Sequence, residues 1–292
     1  MMKKILLALT ALVGLVFTLG SEGAFKSSLF DGELFSDKEE IEMVYVQWDT
    51  EIASTHVIAS VLEEAGYQVK MTSADVPVMW ASLASGDVDG MVAAWLPQTH
   101  GSYYDEFGDQ MEDLGPNLRG AKIGLVVPSY MSVSSIADLS SEASSTITAI
   151  EPGTGVVMAT ERAFDAYPNL EQWQMETAST GAMTTALGQA IDRDEEIVVT
   201  GWSPHWKFQS YDLKYLEDPE GVFGGEETIN TMVRHGLKED HPRVYQILDR
   251  FEWEMEDMES VMLDIADGTD PGQAADKWIE ANRDKVDSWL AE

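Results

Sequence analysis

The sequence predicts an α/β protein of two similar lobes, each a mixed, mainly parallel sheet flanked by helices, with a ligand held in the cleft between them. Three observations predict it. Short apolar runs alternate with segments of helical period along most of the 292 residues, the rhythm of βαβ units. The rhythm restarts after a serine-rich passage at 140–145, so a second unit of the same plan follows the first. Three tryptophans, Trp48, Trp95 and Trp202, stand where apolar runs turn polar, in MVYVQWDTE, GMVAAWLPQTH and EIVVTGWSPHW. Those are the carboxyl ends of strands, where open α/β sheets present their ligands.

Taken in order, residues 1–24 read as a secretory signal peptide. Lys3 and Lys4 precede an apolar stretch at 5–19, too short and weakly flanked to span a membrane, and small residues follow at Gly20, Ser21, Gly23 and Ala24. Cleavage after Gly20 or after Gly23 satisfies the small-residue rule equally. The expected location is beyond the cytoplasmic membrane, periplasmic or associated with the cell surface. The chain has no cysteine, so neither a disulfide framework nor a cysteine-anchored lipoprotein is expected. Residues 25–40 form a polar leader.

The first lobe, 41–128, is expected to hold strands at 43–46, 67–71, 90–94 and 122–128. Its helices fall at 52–65, with Val57, Val61 and Leu62 on one face, and at 78–83; Gly66 stops the first. A linker passage, 129–145, carries a short capped helix at 134–139. In the second lobe, 146–228, strands at 146–150, 172–176 and 196–200 alternate with helices at 157–167 and 182–193. A return strand around 228–233 opens the last segment, 229–292, whose helices at 241–251, 255–267 and 271–290 pack on the lobes; Pro271 starts the last of them. Hinges are expected at 123–128 and 228–233.

With 52 Asp and Glu against 18 Lys and Arg, the net charge is -34, which excludes nucleic acid and anionic lipid as partners. The hydrophobic fraction of 44% is nevertheless enough for a packed core. Carboxylates spread along the whole length, with few lysines, are the pattern of a halophile's protein, since concentrated salt screens the self-repulsion.

The chemistry of the motifs narrows the ligand. An indole face attracts an alkylated ammonium cation. Glu151 to Met158, EPGTGVVM, follows a strand and opens a helix, so its glycines let backbone N–H groups approach an anion closely. No Gly-Lys-Ser/Thr and no G-x-G-x-x-G follows, which favours a small carboxylate over a polyphosphate; a tight βα turn needing glycine for geometry alone is the alternative. His100, one turn beyond Trp95, can donate to an anion from the same rim, where a lysine's charge would oppose a bound cation. His205 either supports the Trp202 loop from behind or serves chemistry. A hydrolase drawing acid and base from Asp49, Glu51, His100 and His205 is the contrasting class; Asp49 and Glu51 are near neighbours on one loop, and neither a nucleophile elbow nor an HExxH pair is present. The five histidines are scattered, so no metal site is expected. Trp80, Trp173, Trp206, Trp253, Trp278 and Trp289 are assigned to packing.

The runs VQWDTEIAS, AAWLPQTH, GLVVPSYM, IEPGTGVVMAT, VVTGWSPHWKF and KEDHPRVYQIL resemble the substrate-binding proteins of glycine betaine and proline betaine ABC importers. The resemblance extends from about Met43 to Leu290. It implies a two-lobed periplasmic-binding-protein fold of type II-like topology and a binding function without enzymatic activity, cofactor or metal. The implied ligand is glycine betaine or proline betaine, captured for osmoprotection, with choline, carnitine or ectoine as rivals. Carried over by motif, Trp48, Trp95 and Trp202 cage the quaternary ammonium, while His100 and the backbone N–H groups of Gly155 and Val156 hold the carboxylate. The implied partners are a membrane permease and an ATPase, and the protein itself a monomer.

Overall fold

A computed structural model describes residues 39–291; the expected signal peptide and nearly all of the leader lie outside the described residues. Strand β1 (Glu40–Tyr45) leads into α1 (Asp49–Glu64), whose first turn carries Asp49 and Glu51 toward the positive end of the helix dipole. After Gly66, with φ of 104°, come β2 (Gln68–Ser73), α2 (Val76–Ser85) and β3 (Gly90–Leu96). Every residue of β3 is buried, as a strand covered on both faces must be. A short helix α3 (Gly101–Phe107) precedes the long strand β4 (Met111–Pro128). The plan then repeats as β5 (Thr146–Ala149), α4 (Gly155–Ala166), β6 (Gln174–Thr177), α5 (Thr180–Asp192), β7 (Val198–Ser203), α6 (Lys207–Ser210) and β8 (Leu213–Tyr215). Strand β9 (Glu227–Arg234) and helices α7 (Leu237–Asp240), α8 (Pro242–Arg250), α9 (Met255–Ala266), α10 (Pro271–Ala281) and α11 (Arg283–Leu290) complete the chain. Helices α9 and α10 pack on α1, and α8 on β4 and β9, so the carboxyl-terminal helices build out the first lobe.

The sheet order is β2-β1-β3-β9-β4-β7-β5-β6, with β8 on β4. In the first lobe β1 pairs in parallel with β2 and β3, and β9 runs antiparallel to β3. In the second, β5 pairs in parallel with β6 and β7, and β4 runs antiparallel to β7. The two lobes therefore share one topology, and β4 belongs to both. Its first part, Met111 to Ala121, pairs with β9; Lys122 onward pairs with β7 and β8.

Several details differ from the expectation. The first lobe does not extend to Pro128, because the ladder from Lys122 to Val126 joins β7 of the second lobe. The crossings between lobes consequently fall at Ala121–Lys122 and in the stretch between β8 and β9, rather than inside the paired segments proposed as hinges. Residues 111–121 form a strand although Gly115, Pro116 and Gly120 read as turn formers, because three register shifts against β9 absorb them as bulges. The expected helix 271–290 is two helices interrupted at Asn282, and the linker's expected helix shrinks to a 3-10 turn at Ile136–Asp138, with Ser135 accepting from the Ala137 N–H, followed by a second 3-10 turn at Glu142–Ser145.

Candidate functional site

The carboxyl ends of β1, β3 and β7 converge between the lobes. Trp48, N-cap of α1, and Trp95, at the end of β3, come from the first lobe; Trp202, in β7, comes from the second. Together with Thr99, Ile123, Ile150, Thr154, Gly155 and Val156 they line a cavity. Trp48 and Trp202 stand with centroids 6.5 Å apart and planes tilted by 46°. Gly155 and Val156 open α4 after Thr154, whose side chain makes no cap hydrogen bond, so the first amides of the helix have no acceptor inside it.

Each indole is held from behind. The Trp95 Nε1–H donates to Glu51 Oε1 at 2.7 Å, and the other carboxylate oxygen of Glu51 accepts from the Thr50 hydroxyl. Both backbone groups of Trp95 are tied to His100: its N–H donates to Nδ1 at 3.1 Å and its carbonyl accepts the His100 N–H at 2.9 Å. The His100 ring stacks on Trp48 at 6.0 Å and meets Trp80 edge-on at 5.9 Å. On the second lobe, His205 meets Trp202 edge-on at 4.7 Å, and Lys207 Nζ lies 4.3 Å from the centroid of the Trp202 ring. The loop after Trp95 is pinned by Glu227, which accepts the Gln98 and Thr99 N–H groups at 2.7 Å each and the Thr99 hydroxyl.

The lobes touch across this site. Trp206 Nε1–H donates to Asp49 Oδ1 at 3.0 Å, His205 Nε2 lies 3.4 Å from Asp49 Oδ2, and the Tyr103 hydroxyl donates to the Gly153 carbonyl at 3.1 Å. Gly155 is required by proximity: a Cβ there would stand 2.3 Å from the Thr99 carbonyl oxygen, inside the contact distance of any side chain.

Burial sets the protonation of the supporting groups. It pushes His100 down to about 3 against a weak opposing pull from the Ala93 carbonyl, so the imidazole is neutral. With Nδ1 accepting, the proton sits on Nε2, which has no hydrogen-bond partner among the described residues. Burial likewise lowers His205, to about 4, and holds the Lys207 amine well below its ordinary value. Glu51 is pushed up to about 7 by burial, partly offset by Thr50 and Trp95.

Residues 39–281 match the family model described as the substrate-binding domain of ABC-type glycine betaine transport systems. The chain belongs to this family. It is 50% identical over 153 residues to the glycine betaine/carnitine transport binding protein of Listeria monocytogenes, a match spanning 52% of this chain and 51%, about half, of that protein. Among solved structures, lactococcal OpuAC in its closed form with glycine betaine superposes with a TM-score of 0.85 at 50% identity, covering 87% of this chain and all (100%) of that one. A choline-binding protein of an ABC transporter in complex with choline superposes with a TM-score of 0.80 at 25% identity, covering 86% and 91%. These neighbours are two-lobed substrate-binding proteins, in keeping with the fold class expected from the sequence.

Within this family fold, five of the predicted residues, Trp48, Trp95, Trp202, Gly155 and Val156, line one cavity. His100 does not: it is fully buried behind Trp48 rather than on the rim, because its main chain caps α3 and its ring turns back onto the end of β3. The residues considered for hydrolysis are not assembled along the wall either. Asp49 faces Trp206 and His205, and Glu51 faces Trp95. His205 stands behind Trp202, the supporting position. Ile123, Ile150, Thr99 and Thr154 were not singled out from the sequence, since an isoleucine or threonine at a strand or helix end looks the same in a core as in a cavity wall.

Proposed function

We propose that the protein captures glycine betaine or a related carboxylated quaternary ammonium solute for an ABC importer. The observation that carries this reading is the convergence of three indoles from both lobes on a cavity whose remaining wall is the amino terminus of α4. The methylated ammonium packs against Trp48, Trp95 and Trp202; each contact with a desolvated cation contributes roughly 0.5 to 2 kcal/mol. The carboxylate accepts the Gly155 and Val156 N–H groups at the positive end of the helix. His100 backs the box from behind Trp48, as a neutral group that adds no charge to repel the cation. A tetrahedral methylated ammonium has no N–H to offer, so an aromatic box selects it over free glycine.

The reading extends to the setting. Capture takes place beyond the cytoplasmic membrane, the loaded protein delivers to a permease and an ATPase, and the accumulated solute offsets the external salt that the acidic surface is suited to. No helix among the described residues is long and apolar enough to cross a membrane.

Choline is the second reading, favoured by the resemblance to the choline-bound structure. Choline has a hydroxyl in place of the carboxylate and so gains little from Gly155 and Val156. Isothermal titration in molar salt tests both. Glycine betaine binding in the micromolar range, about -8 kcal/mol, with choline at least about tenfold weaker, supports the betaine reading; the reverse order establishes a choline receptor, and heat from neither refutes both.

A further inference from the structure

We infer that Glu51 is a specificity-determining residue of the tryptophan box: its carboxylate positions the Trp95 indole and supplies the buried negative charge that makes the box select a positively charged trimethyl group over a neutral one. This rests on the betaine reading above.

Glu51 is 1% exposed, and a carboxylate in such a place costs several kcal/mol unless something compensates it. Its partners are the Trp95 Nε1–H at 2.7 Å and the Thr50 hydroxyl; both are neutral donors, and no cation reaches it among the described residues. The charges near it do not help. Asp49, on the same turn of α1, opposes its ionisation, and Asp49 is itself the group that His205, Trp206 and Lys207 face from the second lobe. In the empty protein, therefore, Glu51 carries an uncompensated charge or holds a proton. A cation seated on the face of Trp95 changes that balance in two ways. It attracts the carboxylate directly through a low-dielectric wall, and the hydrogen bond from the indole N–H to an ionised acceptor enriches the ring in electron density, which strengthens the ring's hold on the cation. The zwitterion is then aligned, its positive end toward Glu51 and its negative end toward α4.

The sign of the linkage follows. A bound cation lowers the folded-state value of Glu51 from about 7, so binding expels a proton near neutral pH and betaine affinity rises with pH through that region. A ligand of the same shape with an uncharged head, the anion 3,3-dimethylbutyrate, in which carbon replaces the ammonium nitrogen, should show neither effect.

The experiment is titration of wild type and Glu51→Gln with both ligands at about pH 6 and about pH 8.5, with buffers of different ionisation enthalpy used near pH 7. Wild type is expected to bind betaine roughly tenfold tighter at the higher pH and to release protons on binding it. Glu51→Gln, which keeps shape and an acceptor oxygen, should lose both the slope and the release, and its preference for betaine over 3,3-dimethylbutyrate should fall about tenfold; mere loosening of Trp95 would lower the preference while leaving the proton release in place. Equal weakening of both ligands, or no change, overturns the inference. Should the variant not fold, the wild-type proton release decides alone: its absence overturns the proposal. Release that persists in Glu51→Gln and vanishes in Lys207→Met assigns the proton to Lys207 and equally overturns it. Wild type that binds no betaine refutes the underlying reading instead, a distinct result.

Discussion

Two clusters of tryptophan lie in this protein, and solvent exposure does not tell them apart. Trp48, Trp95 and Trp202 are 6%, 2% and 4% exposed; Trp253, Trp278 and Trp289, among the carboxyl-terminal segments, are 2%, 5% and 3% exposed. What differs is what the rings face. Trp278 stacks on Trp289 at 6.0 Å and meets Trp253 edge-on at 5.6 Å, and Phe251 fills the corner at 5.1 Å from Trp289. The first three face a cavity, with Glu51, His100, His205 and Lys207 set behind them. An aromatic set whose rings fill one another's faces is a core; one whose rings are fixed from behind and left bare in front is a cavity wall.

Acid should separate the clusters most sharply, because fully buried ionisable groups back the first, whereas Lys285, over Trp278 in the second, is partly exposed and paired with Asp257. His100 is depressed from 6.5 to about 3, so the stability it contributes is complete above its unfolded value and is lost as pH falls toward its folded one. Titrated fully, that amounts to up to about 5 kcal/mol. Denaturant unfolding of His100→Gln between about pH 7 and pH 4 should show a flatter profile than wild type; parallel profiles would mean the histidine is not buried neutral.

Trp278→Ala should cost about 3 to 5 kcal/mol of stability while leaving the betaine dissociation constant of the folded fraction within about threefold, less than 1 kcal/mol. A larger shift would show that the carboxyl-terminal cluster communicates with the cleft. Gly155→Ala sharpens the other side: the added Cβ meets the Thr99 carbonyl at 2.3 Å, so the lobes cannot close, and affinity should fall by roughly a hundredfold, about 2.7 kcal/mol, with the melting temperature of the unliganded protein nearly unchanged. The smallest effect expected is for Trp202→Phe, which keeps an aromatic face of lower quadrupole; a loss of about 0.5 to 1 kcal/mol in titration is the expected outcome, and none at all would place the cation away from the second lobe.

The difference between the clusters also explains how much was legible in the chain. The alternation of strand and helix signals located both lobes, and tryptophans after apolar runs marked the cavity wall, since strand ends and cleft coincide in this topology. Strand 111–121 was hidden, because glycine and proline at bulges look like a loop until the partner β9 is known. His100 was found by spacing but misplaced: one turn beyond Trp95 fits the rim and the rear of the box equally, and hydrogen bonds to the Trp95 backbone decide for the rear. Glu51 offered no local signal of its role. Among 52 acidic residues, the one aimed at an indole N–H from a neighbouring element is visible only in three dimensions.

The backbone contact between Gly155 and Thr99 also bears on time. Where two main chains meet across a cleft and all three indoles are nearly inaccessible, a bound solute has no side exit, so its departure waits on the parting of the lobes. Residence is then set by how often the crossing at Ala121–Lys122 flexes, and tightening the grip of the cage lengthens residence only as far as it slows that flexing. Uptake obeys the same clock: in stopped-flow tryptophan fluorescence, the observed rate should level off as solute concentration rises, at a plateau that reports the lobes' own motion.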